Sequence, residues 1–194
     1  FPADYKGSWV VLFSHPADFT PVCTTEFIAL SRMNETFESL NTKLIGLSID
    51  SLHSHLGWIK SIEALNFNNE GKVKIPFPII ADISMNVAKK YGMLQTVANT
   101  QTVRAVFIID PEGIIRTILY YPMSTGRNIP EIIRILQSLQ LNDKTHYSTP
   151  ANWQPGDDVV MGAPLTIEEA QERLESSDNT IKPLDWYLTM KKMK

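Results

Sequence analysis

The chain has 194 residues, enough for one domain with a sizeable core plus an appendage, and its balance of 43% hydrophobic and 20% charged residues is that of a globular protein. A formal net charge of −3, with no basic stripe interleaved with aromatics, excludes a nucleic-acid-binding surface, and no apolar run is long enough to span a membrane. The single cysteine excludes an intrachain disulfide and suits a reducing compartment, so a cytoplasmic location is expected.

Trp9–Ser14 is an apolar run that reads as a buried strand. His15 to Glu26, HPADFTPVCTTE, follows it and holds the only cysteine, Cys23. Beyond Pro21 the apolar residues Phe27, Leu30, Met33, Phe37 and Leu40 recur at steps of three and four, which predicts one long helix with an apolar face. Pro21 suits the first turn of that helix, because its missing N–H is not needed there. Cys23 then lies near a helix N-terminus, where unpaired N–H groups and the helix dipole favour a thiolate. A lone cysteine is commonly a small buried hydrophobe. The spacing of Pro16, Thr20 and Cys23 at a strand-to-helix turn points instead to a reactive thiol, with the Thr20 hydroxyl in reach of the sulfur or of whatever it attacks.

Lys43–Asp50 (KLIGLSID) is a second buried strand, and the strand–helix–strand order predicts a right-handed parallel unit. That arrangement puts Cys23 at the carboxyl edge of the sheet, where open α/β sheets bind ligands. Ser51 can cap a helix running to about Leu65. His53 and His55, two apart near its start, face different sides, so they read as solvated or hydrogen-bonding groups and not as a metal pair. Asn66–Lys74 is a polar loop; Ile75–Asp82 holds a short strand interrupted by Pro76 and Pro78; Ser84 is expected to cap a short helix ended by Gly92.

Thr102–Asp110 (TVRAVFIID) is a central strand with Arg104 inside an apolar run. A guanidinium there is either in a surface ion pair or aimed at an anion in a pocket, for which the Cys23 thiolate is the candidate. Pro111-Glu112-Gly113 turns the chain into an antiparallel partner, Ile114–Tyr121. Asn128 and Glu131 resemble a capping box, and Ile129, Ile132, Ile133, Leu136 and Leu139 mark an amphipathic helix expected to close the core. Asn142–Pro164 has the texture of a linker or arm. Thr166 and Glu169 cap a short helix through Glu175, and a lysine-rich tail follows. Trp153, Met161, Trp186 and Tyr187 are read as exposed and in need of a covering surface.

A mixed central sheet flanked by helices, with a cysteine at the first strand–helix junction, is an α/β, thioredoxin-like arrangement. Thr20 replaces the first cysteine of a Cys-Xaa-Xaa-Cys motif, so dithiol exchange within the motif is excluded. The stretch from Pro16 to Glu26 closely resembles the peroxiredoxin active-site signature. Asp50-Ser51 with His55 and Trp58, Phe77–Asp82, Arg104, Pro122–Asn128 and Asn152-Trp153 before Pro155-Gly156-Asp157 extend the likeness over nearly the whole chain. It is similar to the 1-Cys subgroup of eukaryotic and archaeal decameric enzymes, for which His15 before the motif proline is typical.

The resemblance implies a thiol-dependent peroxidase that reduces hydrogen peroxide and organic hydroperoxides, with no cofactor and no metal. Cys23 would be the peroxidatic nucleophile, becoming a sulfenic acid; Thr20 would orient the peroxide; Pro16 would shield the thiolate; and Arg104 would stabilise the thiolate and the leaving oxygen. Glu26 and Arg127 would support Arg104, and His15 would lie beside the pocket. An external thiol reductant would recycle Cys23, since no second cysteine exists. Residues 1–141 would form the peroxidase domain, and residues 142–194 a dimerisation arm packing on a partner subunit, giving a homodimer and, with five dimers, a ring-shaped decamer. Members of the family usually carry a further strand or hairpin ahead of this stretch, so the sequence is expected to begin inside a longer protein. Near Pro183-Leu-Asp-Trp-Tyr-Leu-Thr189 it is similar to an archaeal motif in which cysteines flank Asp-Trp; Pro183 and Thr189 replace them here, which excludes resolution through that arm. A different class of function, an oligomeric redox-dependent chaperone or peroxide sensor, draws on the aromatic arm and the missing resolving cysteine.

Overall fold

A computed structural model describes residues 3–94 and 101–193. The chain forms two compact units, Phe1–Ile129 and Pro130–Lys194. Among the described residues, the first unit is built on a five-stranded sheet of order β3-β2-β1-β4-β5, where β1 is Trp9–Ser14, β2 Thr42–Ser48, β3 Ile79–Ala81, β4 Arg104–Ile109 and β5 Ile115–Tyr121. The first three strands run parallel, while β1–β4 and β4–β5 are antiparallel, as the mixed-sheet reading requires. β1 and β4 are buried along their whole length, which explains why they read as unbroken apolar runs with no alternation.

Helix α1 (Pro21–Arg32) and helix α2 (Asn34–Ser39) replace the single long helix that the spacing predicts. The break is at Met33, whose φ of −94° and ψ of 4° leave the helical region. The apolar face nonetheless continues across it: Phe27, Leu30 and Phe37 are all buried, so periodicity alone could not reveal the kink. Gly46, in the middle of β2, lets α1 approach the sheet, since a Cβ there would lie 3.3 Å from the end of the Phe27 ring.

Helix α3 (Leu52–Ala64) is capped as expected, with the Ser51 hydroxyl accepting from the Ser54 N–H. Helix α4 (Asn86–Lys90) is not capped by Ser84. Met85 enters it in the left-handed region, and the Asp82 carboxylate accepts from the N–H groups of Val87 and Ala88 at 3.2 and 2.7 Å. An ionised carboxylate at that end outcompetes a hydroxyl. The β4–β5 hairpin turns on Gly113, at φ +89°, and Asp110, whose carboxylate accepts from Glu112 and Ile114.

In the second unit, α5 extends to Thr145 from Ile129, α6 is Ile167–Leu174, and β6 (Val159–Val160), β7 (Ile181–Asp185) and β8 (Leu188–Lys191) form a sheet of order β6-β8-β7. Thr166 and Glu169 do cap α6. Of the two readings of the stretch after α5, linker or arm, a loose linker does not fit: Ser148 pairs with Val160, and Ser138 bonds Thr149. Trp153 is buried, its indole N–H donating to the Asp157 carbonyl, although Trp186 and Tyr187 are half exposed as expected. The lysine-rich tail contains β8, with Lys191 paired to Asp178.

Candidate active site

The site grows out of the end of β1. Ser14 donates to the Val103 carbonyl at 2.6 Å and accepts from the Ala105 N–H, while the Thr102 hydroxyl donates to the His15 carbonyl. These bonds lock the last turn of β1 to the start of β4 and set Arg104 across from the residues that follow His15.

Cys23 occupies the first turn of α1 and has no exposed surface. Thr20 is the residue before the helix, yet its side chain does not cap it: the hydroxyl donates to the Ala17 carbonyl at 2.8 Å. Two consequences follow. The first-turn N–H groups receive no side-chain cap, so the positive end of α1 is left for the site. The Thr20 oxygen, with its hydrogen committed, presents only lone pairs to anything else it meets.

Arg104 is 3% exposed and is neither in a surface pair nor free. Its Nη1 donates to Cys23 Sγ at 3.2 Å and to Glu26 Oε2 at 2.7 Å, and its Nε donates to the Met123 carbonyl at 3.1 Å. Arg127, also buried, holds Glu26 from the other side through its backbone N–H, Nε and Nη2, and gives Nη1 to the carbonyls of Ser14 and Ala105. The Phe13 ring lies under its guanidinium, 5.2 Å away. Glu26 thus neutralises one of two buried guanidiniums. The other, on Arg104, is set directly against Cys23 Sγ.

Pro16 is buried between β1 and this site in the chain. His15 is also buried, but none of its hydrogen bonds joins it to the cysteine–arginine set. Its Nε2 meets Asp18 Oδ1 at 2.8 Å, and Asp18 Oδ2 meets His55 Nδ1, also at 2.8 Å. The His15 ring packs on Phe27 and Trp58, with centroids 5.0 and 4.9 Å away. Burial pulls the His15 pKa below its ordinary 6.5, more than the neighbouring Asp18 raises it, with Arg127 adding to the depression. Burial alone would raise the Asp18 pKa; hydrogen bonds from His15, His55 and Ser54 together outweigh it and hold the carboxyl well below its usual range. The ligand atoms of His15, Asp18 and His55 lie within 4.8 Å of one another, a spacing a metal ion could bridge, but the N–H to carboxylate bonds already occupy them. His53, by contrast, is exposed, so the two histidines of α3 do face opposite ways.

Sequence reasoning named Cys23, Thr20, Pro16, Arg104, Glu26, Arg127 and His15, and the structure joins Cys23, Arg104, Glu26 and Arg127 in one hydrogen-bonded set. It missed Asp18, and it missed the partnership of Asp18 with His55. The available signal was the three-residue step from His15 to Asp18 together with a histidine on the α3 face that also carries Trp58.

Residues 2–118 match the family model described as the AhpC/TSA family, and residues 138–177 match the C-terminal domain of 1-Cys peroxiredoxin. A peroxiredoxin of Methanosarcina mazei is 57% identical over 99% of this chain and 89% of its own length; one of Aquifex aeolicus is 48% identical over 100% and 88%. Among solved structures, a yeast mitochondrial 1-Cys peroxiredoxin, studied for thiol resolution via glutathione/thioredoxin systems, superposes with a TM-score of 0.84 at 40% identity, covering 98% of this chain and 89% of that one. A cysteine-to-serine mutant of the peroxiredoxin 6 of Arenicola marina gives 0.82 at 34% identity, covering 99% and 89%.

Proposed function

Since the chain belongs to the AhpC/TSA family of peroxiredoxins and is a thiol-dependent peroxidase working through a single cysteine, we propose that Cys23 is its peroxidatic nucleophile and Arg104 its electrostatic partner. The observation that carries this assignment is the 3.2 Å hydrogen bond from Arg104 Nη1 to Cys23 Sγ.

In the reaction, a lone pair on the Cys23 thiolate attacks the distal oxygen of a hydroperoxide. The S–O bond forms as the O–O bond breaks, so sulfur is oxidised to a sulfenic acid and the peroxide is reduced. The electron pair leaves on the proximal oxygen as alkoxide or hydroxide, which solvent protonates to alcohol or water. Arg104 and the positive end of α1 stabilise the charge as it moves from sulfur to oxygen. Thr20, its own hydrogen held by the Ala17 carbonyl, accepts the peroxide O–H and aligns the O–O bond with sulfur. Pro16 keeps bulk water from the thiolate. Glu26 and Arg127 fix Arg104, and His15 lies at the back of the same loop.

An external thiol then attacks the sulfenic sulfur, displacing water to give a mixed disulfide, and a second thiol releases Cys23. Having one cysteine, the chain cannot supply that thiol itself. Hydrogen peroxide and alkyl hydroperoxides are the substrates of this reading, and a reducing compartment such as the cytoplasm suits the recycling step. Residues 142–194 serve as an arm that packs on a second subunit of a homodimer, with a ring of five dimers as the larger assembly. The exposed Leu165, Ile167, Leu184 and Trp186 support a covered face there. The family relationship favours the peroxidase over a non-catalytic chaperone or sensor. Stopped-flow peroxide consumption tests the assignment: Cys23→Ser abolishes it, and equal rates in the two proteins would refute it.

A further inference from the structure

The peroxide chemistry uses neither Asp18 nor His55, yet both are buried, and the Asp18 carboxylate meets His15 through Oδ1 and His55 through Oδ2. A carboxylate has no proton to give, so each imidazole supplies one: His15 from Nε2 and His55 from Nδ1. The remaining nitrogens, His15 Nδ1 and His55 Nε2, have no hydrogen-bond partner among the described residues. Held through both oxygens by two imidazoles beside Phe27 and Trp58, this buried carboxylate has a single defined geometry.

That geometry concerns the loop from His15 to Thr20. Asp18 is its midpoint, and the Asp18 backbone N–H is itself held by Asp50 Oδ2 at 3.0 Å. The next residue, Phe19, takes φ +54°, a left-handed conformation unfavourable for an aromatic residue and one that an unanchored loop would relax. One turn further along α3, Trp58 donates its indole N–H to Thr24 Oγ1 at 3.2 Å, and Thr24 Oγ1 donates to the Thr20 carbonyl at 2.8 Å. His55 and Trp58 sit three apart on one face of α3 and so hold the catalytic stretch on both sides of Thr20.

We infer that Asp18 is a positioning residue for peroxide cleavage: pinned between His15 and His55, it sets the loop that carries Pro16 and Thr20 to their places beside Cys23. This rests on the proposed role of Thr20, and it adds Asp18 and His55 to the residues on which the reaction depends.

The test compares two rates on the same proteins: oxidation by hydrogen peroxide, which needs an aligned O–O bond, and alkylation of Cys23 by iodoacetamide, which needs only a reactive thiolate. Asp18→Asn and His55→Leu lose roughly 10- to 100-fold in the peroxide rate, the size of effect expected from a displaced orienting group. Their alkylation rate stays at the wild-type value. His55→Asn, whose amide nitrogen takes the place of Nδ1, recovers most of the peroxide rate. In the Asp18→Asn/Thr20→Val double variant the losses do not add, because Asp18 acts through Thr20. The nitrogen-15 spectrum of the wild type shows His15 as the Nε2–H tautomer. An Asp18→Asn protein with the wild-type peroxide rate overturns the inference, as does a parallel fall in both rates or full additivity in the double variant. If Asp18→Asn does not fold, the His55 pair decides: equal peroxide rates in the Leu and Asn variants overturn it. A Thr20→Val protein at the wild-type rate overturns the assignment of Thr20 itself, whatever the Asp18 variants do.

Discussion

Arg127 gives Glu26 three hydrogen bonds, from its backbone N–H at 2.9 Å, Nε at 3.0 Å and Nη2 at 2.6 Å, while both side chains are buried. Removing the guanidinium as Arg127→Met leaves two carbonyls and part of a carboxylate without donors. The expected loss is about 3–5 kcal/mol of folding stability, measured by urea denaturation. A loss below about 1 kcal/mol would be the behaviour of a solvated surface pair and would contradict the buried arrangement.

In the proposed mechanism Arg104 acts on the chemistry more than on the fold. Arg104→Gln keeps a donor but removes the charge that faces Cys23, and is expected to lower the peroxide rate by about 10²–10³-fold. Arg104→Lys keeps the charge without the fork that reaches Cys23, Glu26 and the Met123 carbonyl together, so it recovers only part of the rate. Equal rates in the Gln and Lys variants would show that geometry alone matters.

Acid should destabilise the protein in two steps. His15 has a folded pKa below its ordinary 6.5, so the unfolded chain binds its proton first; stability is complete above about pH 6.5 and falls as pH drops towards the folded value. Asp18 is likewise depressed from 3.8, so its contribution is present above that pH and is lost below it. Denaturant midpoints measured from about pH 7.5 to below pH 3.8 should decline, and His15→Gln should flatten the part of the decline that begins below about pH 6.5. A midpoint that rises on acidification would reverse the sign and refute the argument.

Gly46→Ala tests the approach of α1 to the sheet. The added methyl would stand 3.3 Å from the Phe27 ring and 3.4 Å from Ile79, tighter than normal packing. The overpacking is expected to cost about 1–3 kcal/mol, read from the unfolding midpoint. A stabilised variant would mean that α1 shifts freely.

Much of the site was legible because its chemistry conflicts with its surroundings. A charged residue inside the apolar run TVRAVFIID can stand there only if paired, and Arg104 is paired with Cys23 and Glu26. The parallel unit and the β4–β5 hairpin were equally readable, since period and turn residues are local signals. What escaped detection depended on partners distant in sequence or on competition between neighbours. Met33 is an apolar residue at the junction of the two short helices, in step with the buried Phe27, Leu30 and Phe37, so the break leaves no trace in periodicity. Asp82 displaces Ser84 as the cap of α4 only because the chain turns at Met85. Trp153 is buried within a stretch whose prolines and glycines suggested a linker, and strands as short as Val159–Val160 carry no alternation to detect. Asp18 looked like one more polar loop residue; its importance depends on His55, 37 positions away.

The wide spacing of the site along the chain also sets an order in time. Cys23 and Arg104 are 81 positions apart, and Glu26 and Arg127 are 101 apart. Synthesis adds about 5–20 residues per second, so Cys23 is made roughly 4–16 s before Arg104. Throughout that interval Cys23 has neither its guanidinium nor the strand that presents it. If Cys23 and Arg104 act as proposed, peroxidase reactivity switches on only when the β4 strand and the Arg127 segment have docked. A chain truncated before residue 104 on the ribosome would carry the signature motif without the guanidinium that bonds its sulfur.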